Sequence, residues 1–177
     1  MKKIVSLLVL ALAASVAPVM AQKADYNIIP LPKEVVVDSA QVFTLSNGMG
    51  IAYDASNAEL ARDVEFLTAW VEQVSGIKLV ATPADKKAPV RIQLGFAADK
   101  KAKKGSKNEP VAELTEQQKE AYILSVDENG ILIQARNPIG VYRAAQTLRK
   151  ALPVVKENKD GKVEMPFVTI QDEPRFE

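Results

Sequence analysis

Residues 120–152, EAYILSVDENGILIQARNPIGVYRAAQTLRKAL, decide the fold. Tyr122, Leu124 and Val126 alternate along Glu120–Val126 and so share one face of a strand. Asp127-Glu128-Asn129-Gly130 supplies a tight reversal, because Asn and Gly adopt positive φ at little cost. Ile131–Arg136 returns as a second, largely apolar strand, which predicts a hairpin with both faces at least partly covered. Asn137 is placed to cap a helix, and Pro138 suits the first helical position, where its missing N–H costs nothing. Val141, Ala145, Leu148 and Leu152 then fall on one helix face, and Pro153 closes the segment.

Upstream, Pro30 and Pro32 fix an extended entry and Val35-Val36-Val37 favours a strand. Val42–Leu45 reads as a second short strand after Asp38-Ser39-Ala40, and Gly50–Tyr53 as a third after the Asn47-Gly48 turn. Ser56-Asn57-Ala58-Glu59 has the form of a capping box, with Ser56 as the cap. Leu60, Val64, Leu67, Val71 and Val74 follow as an apolar helical stripe that Gly76 ends. Trp70 lies beside that stripe, where core or interdomain packing is favoured over a sugar-stacking platform. Ile77–Ala81 and Pro89–Leu94 are further strands, joined by the charged loop Thr82–Ala88. Asp99–Asn108 is lysine-rich and apolar-poor, a solvated loop without the interleaved arginines and aromatics of a polyanion site. Leu114–Lys119 can form one helical turn, and Met165–Gln171 is a last strand before Asp172-Glu173-Pro174-Arg175-Phe176-Glu177.

The N-terminus has a different character. Lys2-Lys3, an apolar run from Ile4 to about Val16, and Val19-Met20-Ala21 form the pattern of a secretory signal peptide over residues 1–21. That run is short for a membrane span, and no Cys follows it to carry a lipid. The expected destination is periplasmic or secreted, with no membrane association after cleavage. Residues 22–177 are then one domain whose formal charge shifts from +1 to −1 with the loss of Lys2 and Lys3. Such a balance argues against a nucleic-acid partner. With no Cys in the chain, stability must come from burial rather than disulfides.

Several short motifs occur in order along the chain: IIPLPKEV at 28–35, EAY-x-L-x-V at 120–126, NGI-x-I-x-A at 129–135, a Gly-containing turn into QTL, and I-x-DEPRF at 170–176. Together they resemble the domain that precedes the catalytic barrel in family 20 β-N-acetylhexosaminidases. Arg143-Ala144 departs from the aromatic-glycine pair of many relatives. The resemblance implies an α+β fold: a mixed, mainly antiparallel sheet of about six to seven strands, with two main helices packed on one face. It also implies a parent enzyme that removes terminal β-linked N-acetylhexosamine from glycans, with retention and without a metal.

The chemistry available to the chain is narrow. Without His or Cys there is no Ser-His-Asp site, no thiolate nucleophile and no usual zinc site. No phosphate-binding glycine motif occurs either. A carboxylate pair could serve glycoside hydrolysis, and Asp172-Glu173 is the obvious candidate. Adjacent residues of an extended segment point apart, however, and Pro174 marks an interdomain edge. By resemblance, the catalytic Asp-Glu pair and the substrate-gripping arginine lie downstream in the barrel, and Arg175 packs or pairs at the domain boundary. The expectation is therefore no catalytic, substrate-binding, cofactor-binding or metal residue in this chain, and no cofactor. Its expected partner is a C-terminal catalytic barrel of the same protein, through which alone it would meet glycan. Two other readings remain: an exported module that binds amino-sugar glycans by itself, and a self-sufficient hydrolase.

Overall fold

In a computed structural model, which describes residues 22–83, 87–96, 113–155 and 158–174, the 120–152 stretch forms the predicted hairpin and helix. Seven strands make one sheet: β1 Glu34–Ser46, β2 Gly50–Tyr53, β3 Val80–Pro83, β4 Val90–Leu94, β5 Tyr122–Asp127, β6 Gly130–Ala135 and β7 Lys162–Asp172. Two long helices, α1 Ala58–Ser75 and α3 Pro138–Ala151, and one short one, α2 Glu116–Glu120, complete the described residues. Strand order across the sheet is β1-β7-β5-β6-β4-β2-β3. The β1–β7, β7–β5 and β5–β6 ladders are antiparallel; β6–β4, β4–β2 and β2–β3 are parallel. The sheet is thus mixed, with the longer ladders antiparallel, and the fold is α+β.

The register explains the core. Val90, Ile131, Val126 and Val168 stand side by side on neighbouring strands, and Ile92, Ile133, Leu124 and Ile170 form the next row. All are buried, as are the inward stripes of both long helices, and they belong to one cluster. The alternating residues Ile123, Ser125, Leu132 and Gln134 are only partly buried, and Thr169 and Gln171 are exposed. The period-2 pattern therefore gives the sheet one face against helices and one open face. Gly130 is what lets β4 run beside the hairpin. Its φ is +110°, and a Cβ there would sit 2.0 Å from the Pro89 carbonyl oxygen, a position only glycine can occupy.

Three local expectations need correction. The two strands expected at 35–37 and 42–45 are one strand. Asp38 accepts hydrogen bonds from the Ala40 N–H at 3.0 Å and the Gln41 amide at 3.1 Å. This holds the intervening residues as a bulge, so both halves continue one ladder with β7. The cap of α1 is Asn57, whose side chain accepts from the Leu60 N–H at 3.0 Å, not Ser56. The Ser56 hydroxyl instead donates to Asp54 at 2.6 Å, and these bonds hold the Asp54 carboxyl below its ordinary pKa. The strand expected from Ile77 starts at Val80, because Lys78 N–H is taken by the Asn47 side chain at 2.8 Å and not by a strand partner. The Leu114–Lys119 turn is present as α2, capped by a reciprocal Thr115–Gln118 pair. The proposed signal segment 1–21 and the lysine-rich stretch 99–108 lie outside the described residues, as do Arg175 and Phe176.

Candidate interface on the helical layer

Each long helix has a buried side and a chemically distinct outer side. On α1, Leu60, Val64, Leu67, Val71 and Val74 face inward. Phe66 and Trp70, four residues apart and so neighbours on a helix, lie off that stripe. On α3, Val141, Ala144, Ala145, Leu148 and Ala151 are buried, while Tyr142 and Arg149 lie off the stripe. The four outer side chains meet. Phe66 stacks on Trp70 at 5.8 Å between centroids, Trp70 lies 5.5 Å from Tyr142, and Tyr142 meets Phe66 edge-on at 6.4 Å. The Arg149 guanidinium sits 5.4 Å over the Trp70 ring. Such pairs contribute about 0.5–1.5 kcal/mol each beyond burial.

Trp70 also rests on the core, and Trp70 and Tyr142 are partly buried, but the outer edge of the cluster is open. Phe66 is 44% exposed, and Ile139, at the start of α3, is 43% exposed. Aromatic and arginine side chains on a half-exposed helical surface are the composition of a protein contact surface. Trp70 thus takes the packing role favoured from its spacing. In sequence only Trp70 stands out, whereas Phe66 and Tyr142 do not. The signal that could have found Phe66 is the i, i+4 aromatic pair. Tyr142 is brought in by tertiary packing and has no such local mark.

At the flank of α3 a second feature, a cleft of about 300 Å³, opens where β7 ends. Asp172 and Glu173 lie here, and neither is free. Asp172 accepts from the Lys33 backbone N–H at 3.0 Å, and Glu173 pairs with the Lys33 ammonium. The Tyr122 hydroxyl is 2.6 Å from the Thr147 hydroxyl and 3.5 Å from Asp172. Burial pushes the Tyr122 pKa up to about 12, opposed by the Thr147 bond and reinforced by Asp172, so the phenol is neutral at ordinary pH. Arg143, the departure from the family pattern, pairs with Glu120 at 2.9 Å, while Ala144 is fully buried. Gly140 lets the first turn of α3 sit against this corner, since a Cβ there would come 2.6 Å from the Ala121 carbonyl oxygen. Among the described residues no group of three or more His, Cys, Asp or Glu could hold a metal ion, and no helix is long and apolar enough to cross a membrane.

The family model described as glycosyl hydrolase family 20, domain 2, matches residues 25–173. Among solved structures the chain is similar to the Streptomyces plicatus N-acetyl-β-hexosaminidase in complex with Thio-NAglucal. Identity is 25% and the TM-score 0.65, over 90% of this chain and 28% of that one. It also resembles the GH20 β-N-acetylhexosaminidase of Streptomyces coelicolor A3(2), at 22% identity and TM-score 0.63 over 84% of this chain and 26% of that one. A third match is the GH20 exo-β-N-acetylglucosaminidase of Vibrio harveyi, at 20% identity and TM-score 0.60 over 90% and 21%. The last two, at such identities, speak to the fold alone. The chain therefore spans less than a third of the length of the solved enzymes it resembles. No curated protein sequence matches it.

Proposed function

Because this chain belongs to glycosyl hydrolase family 20 as its domain 2, a hexosaminidase-associated domain, we propose that it supports a catalytic barrel without taking part in hydrolysis. In this reading the barrel follows on the same polypeptide and removes terminal β-linked N-acetylhexosamine from glycans. The domain seats that barrel on the outer side of α1 and α3. The observation that carries this is the cluster of exposed Phe66 and Arg149 with partly buried Trp70 and Tyr142. Covering it removes apolar surface from water, at about 25 cal/mol per Å², and leaves the inward stripes untouched.

The state of the carboxylates supports a non-catalytic role. A glycosidase acid needs a proton at working pH and a partner carboxylate across the bond. Asp172 and Glu173 are instead both engaged by Lys33 and anchor the N-terminal arm. Residues 1–21 would act as an export signal, removed before the domain reaches the periplasm or the medium.

A chromogenic N-acetylglucosaminide assay tests the division of labour. Residues 22–177 should show no turnover, while a longer chain carrying the barrel should be active. Turnover by the pure short chain would overturn the reading. Calorimetric titration with chitobiose should give no heat of binding to the short chain; clear millimolar binding would favour an independent glycan-binding module instead.

A further inference from the structure

The cleft at the end of β7 differs in kind from the aromatic patch. Its walls come from the N-terminal arm, the head of β5, the flank of α3 and the last described residues of the chain, among them Asp172, Glu173 and Pro174. We propose that this cleft is a second, polar seat for the same catalytic barrel, filled by a loop that brings a carboxylate to Lys150. The proposal rests on the domain-plus-barrel reading above.

Position is the first ground. Pro174 forms part of the cleft wall, so polypeptide that continues past it emerges at the lip. An extended chain advances no more than about 3.6 Å per residue, which keeps the first residues of a following domain beside the cleft. The solved enzymes that the chain resembles are more than three times the length it covers in them, so the material to fill such a cleft is large.

The second ground is that the exit is held from several sides. Asp172 takes the Lys33 backbone N–H at 3.0 Å, and Glu173 takes the Lys33 ammonium. Tyr122 bridges Asp172 and Thr147, tying the exit strand to α3. A tether held at Asp172 and Glu173 restricts the direction in which the next domain starts. That raises the effective concentration of the barrel at the cleft and lowers the orientational entropy lost on docking.

Charge gives the third ground. Arg143 is matched by Glu120, and Lys33 by Glu173. Lys150 donates only to a neutral acceptor, the Ile29 carbonyl oxygen, at 2.9 Å. Among the described residues no carboxylate stands within ion-pair distance of it. The cleft carboxylate that has no ion pair, Asp172, is occupied by the Lys33 N–H and the Tyr122 hydroxyl, so Lys150 at the rim is left to select an anionic group on the surface that closes over it. A free sugar fits less well. The Tyr122 ring is 3% exposed and offers no face on which a pyranose could stack.

Acetylation with an N-hydroxysuccinimide ester, read residue by residue by mass spectrometry, tests the seat. Lys150 should react several-fold more slowly in a chain that carries the barrel than in the 177-residue chain. Lys78, which pairs with Glu72 beyond the end of α1, should react equally in both. If Lys150 reacts at one rate in both chains while Trp70 becomes protected from oxidation, the polar seat falls and the docking reading stands. If neither residue is protected, both fall. Protection of Lys150 without Trp70 keeps the seat and removes the helical surface from the account. Protection of Lys150 in the short chain by chitobiose would make the cleft a sugar site and overturn the proposal. Lys150→Met should lower the temperature of half-inactivation of the longer chain by more than it lowers the melting temperature of the short one, and Lys150→Arg should restore it. Equal losses in both chains would reduce Lys150 to its bond with the Ile29 carbonyl and overturn the seat.

Discussion

The two sides of the helical layer use similar side chains for different ends. On the inner side, Leu67, Val71 and Leu148 are essentially without solvent contact and meet the sheet rows built on Ile131 and Ile133. On the outer side, Phe66, Trp70 and Tyr142 pack chiefly on one another, with Arg149 over the indole and Trp70 alone of the three reaching the core cluster. The inner side specifies the fold of the domain. The outer side contributes little to that fold and is available to a neighbour. Apolar content alone therefore does not separate core from interface; what separates them is how many other elements each side chain meets.

Substitutions can break or sharpen that contrast. Leu148→Ala removes inward packing at a site 1% exposed and should cost about 2–5 kcal/mol, read as a lower urea midpoint at unchanged slope. Trp70→Ala should cost the short chain less, about 1–3 kcal/mol, the scale of its two ring contacts together. In a chain with the barrel it should depress the temperature of half-inactivation much more. Equal losses from Leu148→Ala and Trp70→Ala in the short chain would erase the distinction between the two sides. Asn57→Ala should cost about 1 kcal/mol of stability, whereas Ser56→Ala should stay within about 0.5 kcal/mol. The opposite ranking would restore Ser56 as the cap. Arg143→Ala, at the half-exposed pair with Glu120, should likewise be a small loss, below about 1 kcal/mol, and should shrink further in high salt.

Much of the fold was legible because its signals are local. The 120–152 stretch has alternation, turn residues, a cap and a helical stripe in immediate succession, and each agrees with the next. Both inward stripes were likewise visible as spacings. What failed locally had a competing partner. Ser56-x-x-Glu59 satisfies a capping pattern, but Asp54 takes the serine hydroxyl first. Asp38-Ser39-Ala40 looks like a turn, but β7 runs on past it and turns it into a bulge. The interface was less legible than the fold. Trp70 could be singled out, yet Tyr142 and Arg149 join it only through the packing of α3 against α1. The cleft was least legible of all, because Lys33, Tyr122, Thr147 and Asp172 come from four separate parts of the chain. Asp172-Glu173 drew attention as a carboxylate pair, while its role as an anchor for the N-terminal arm depends on a contact spanning 139 positions.

The central claim is that the outer side of the two helices is covered by the catalytic domain. Trp70 is the only tryptophan of the 177 residues, so its peptide can be followed without ambiguity in hydroxyl-radical footprinting of the short chain and of the chain that carries the barrel. The account predicts that Trp70 oxidises readily in the short chain and several-fold more slowly in the longer one, with Phe66 and Tyr142 following it. Equal oxidation of all three rings in both chains would contradict it.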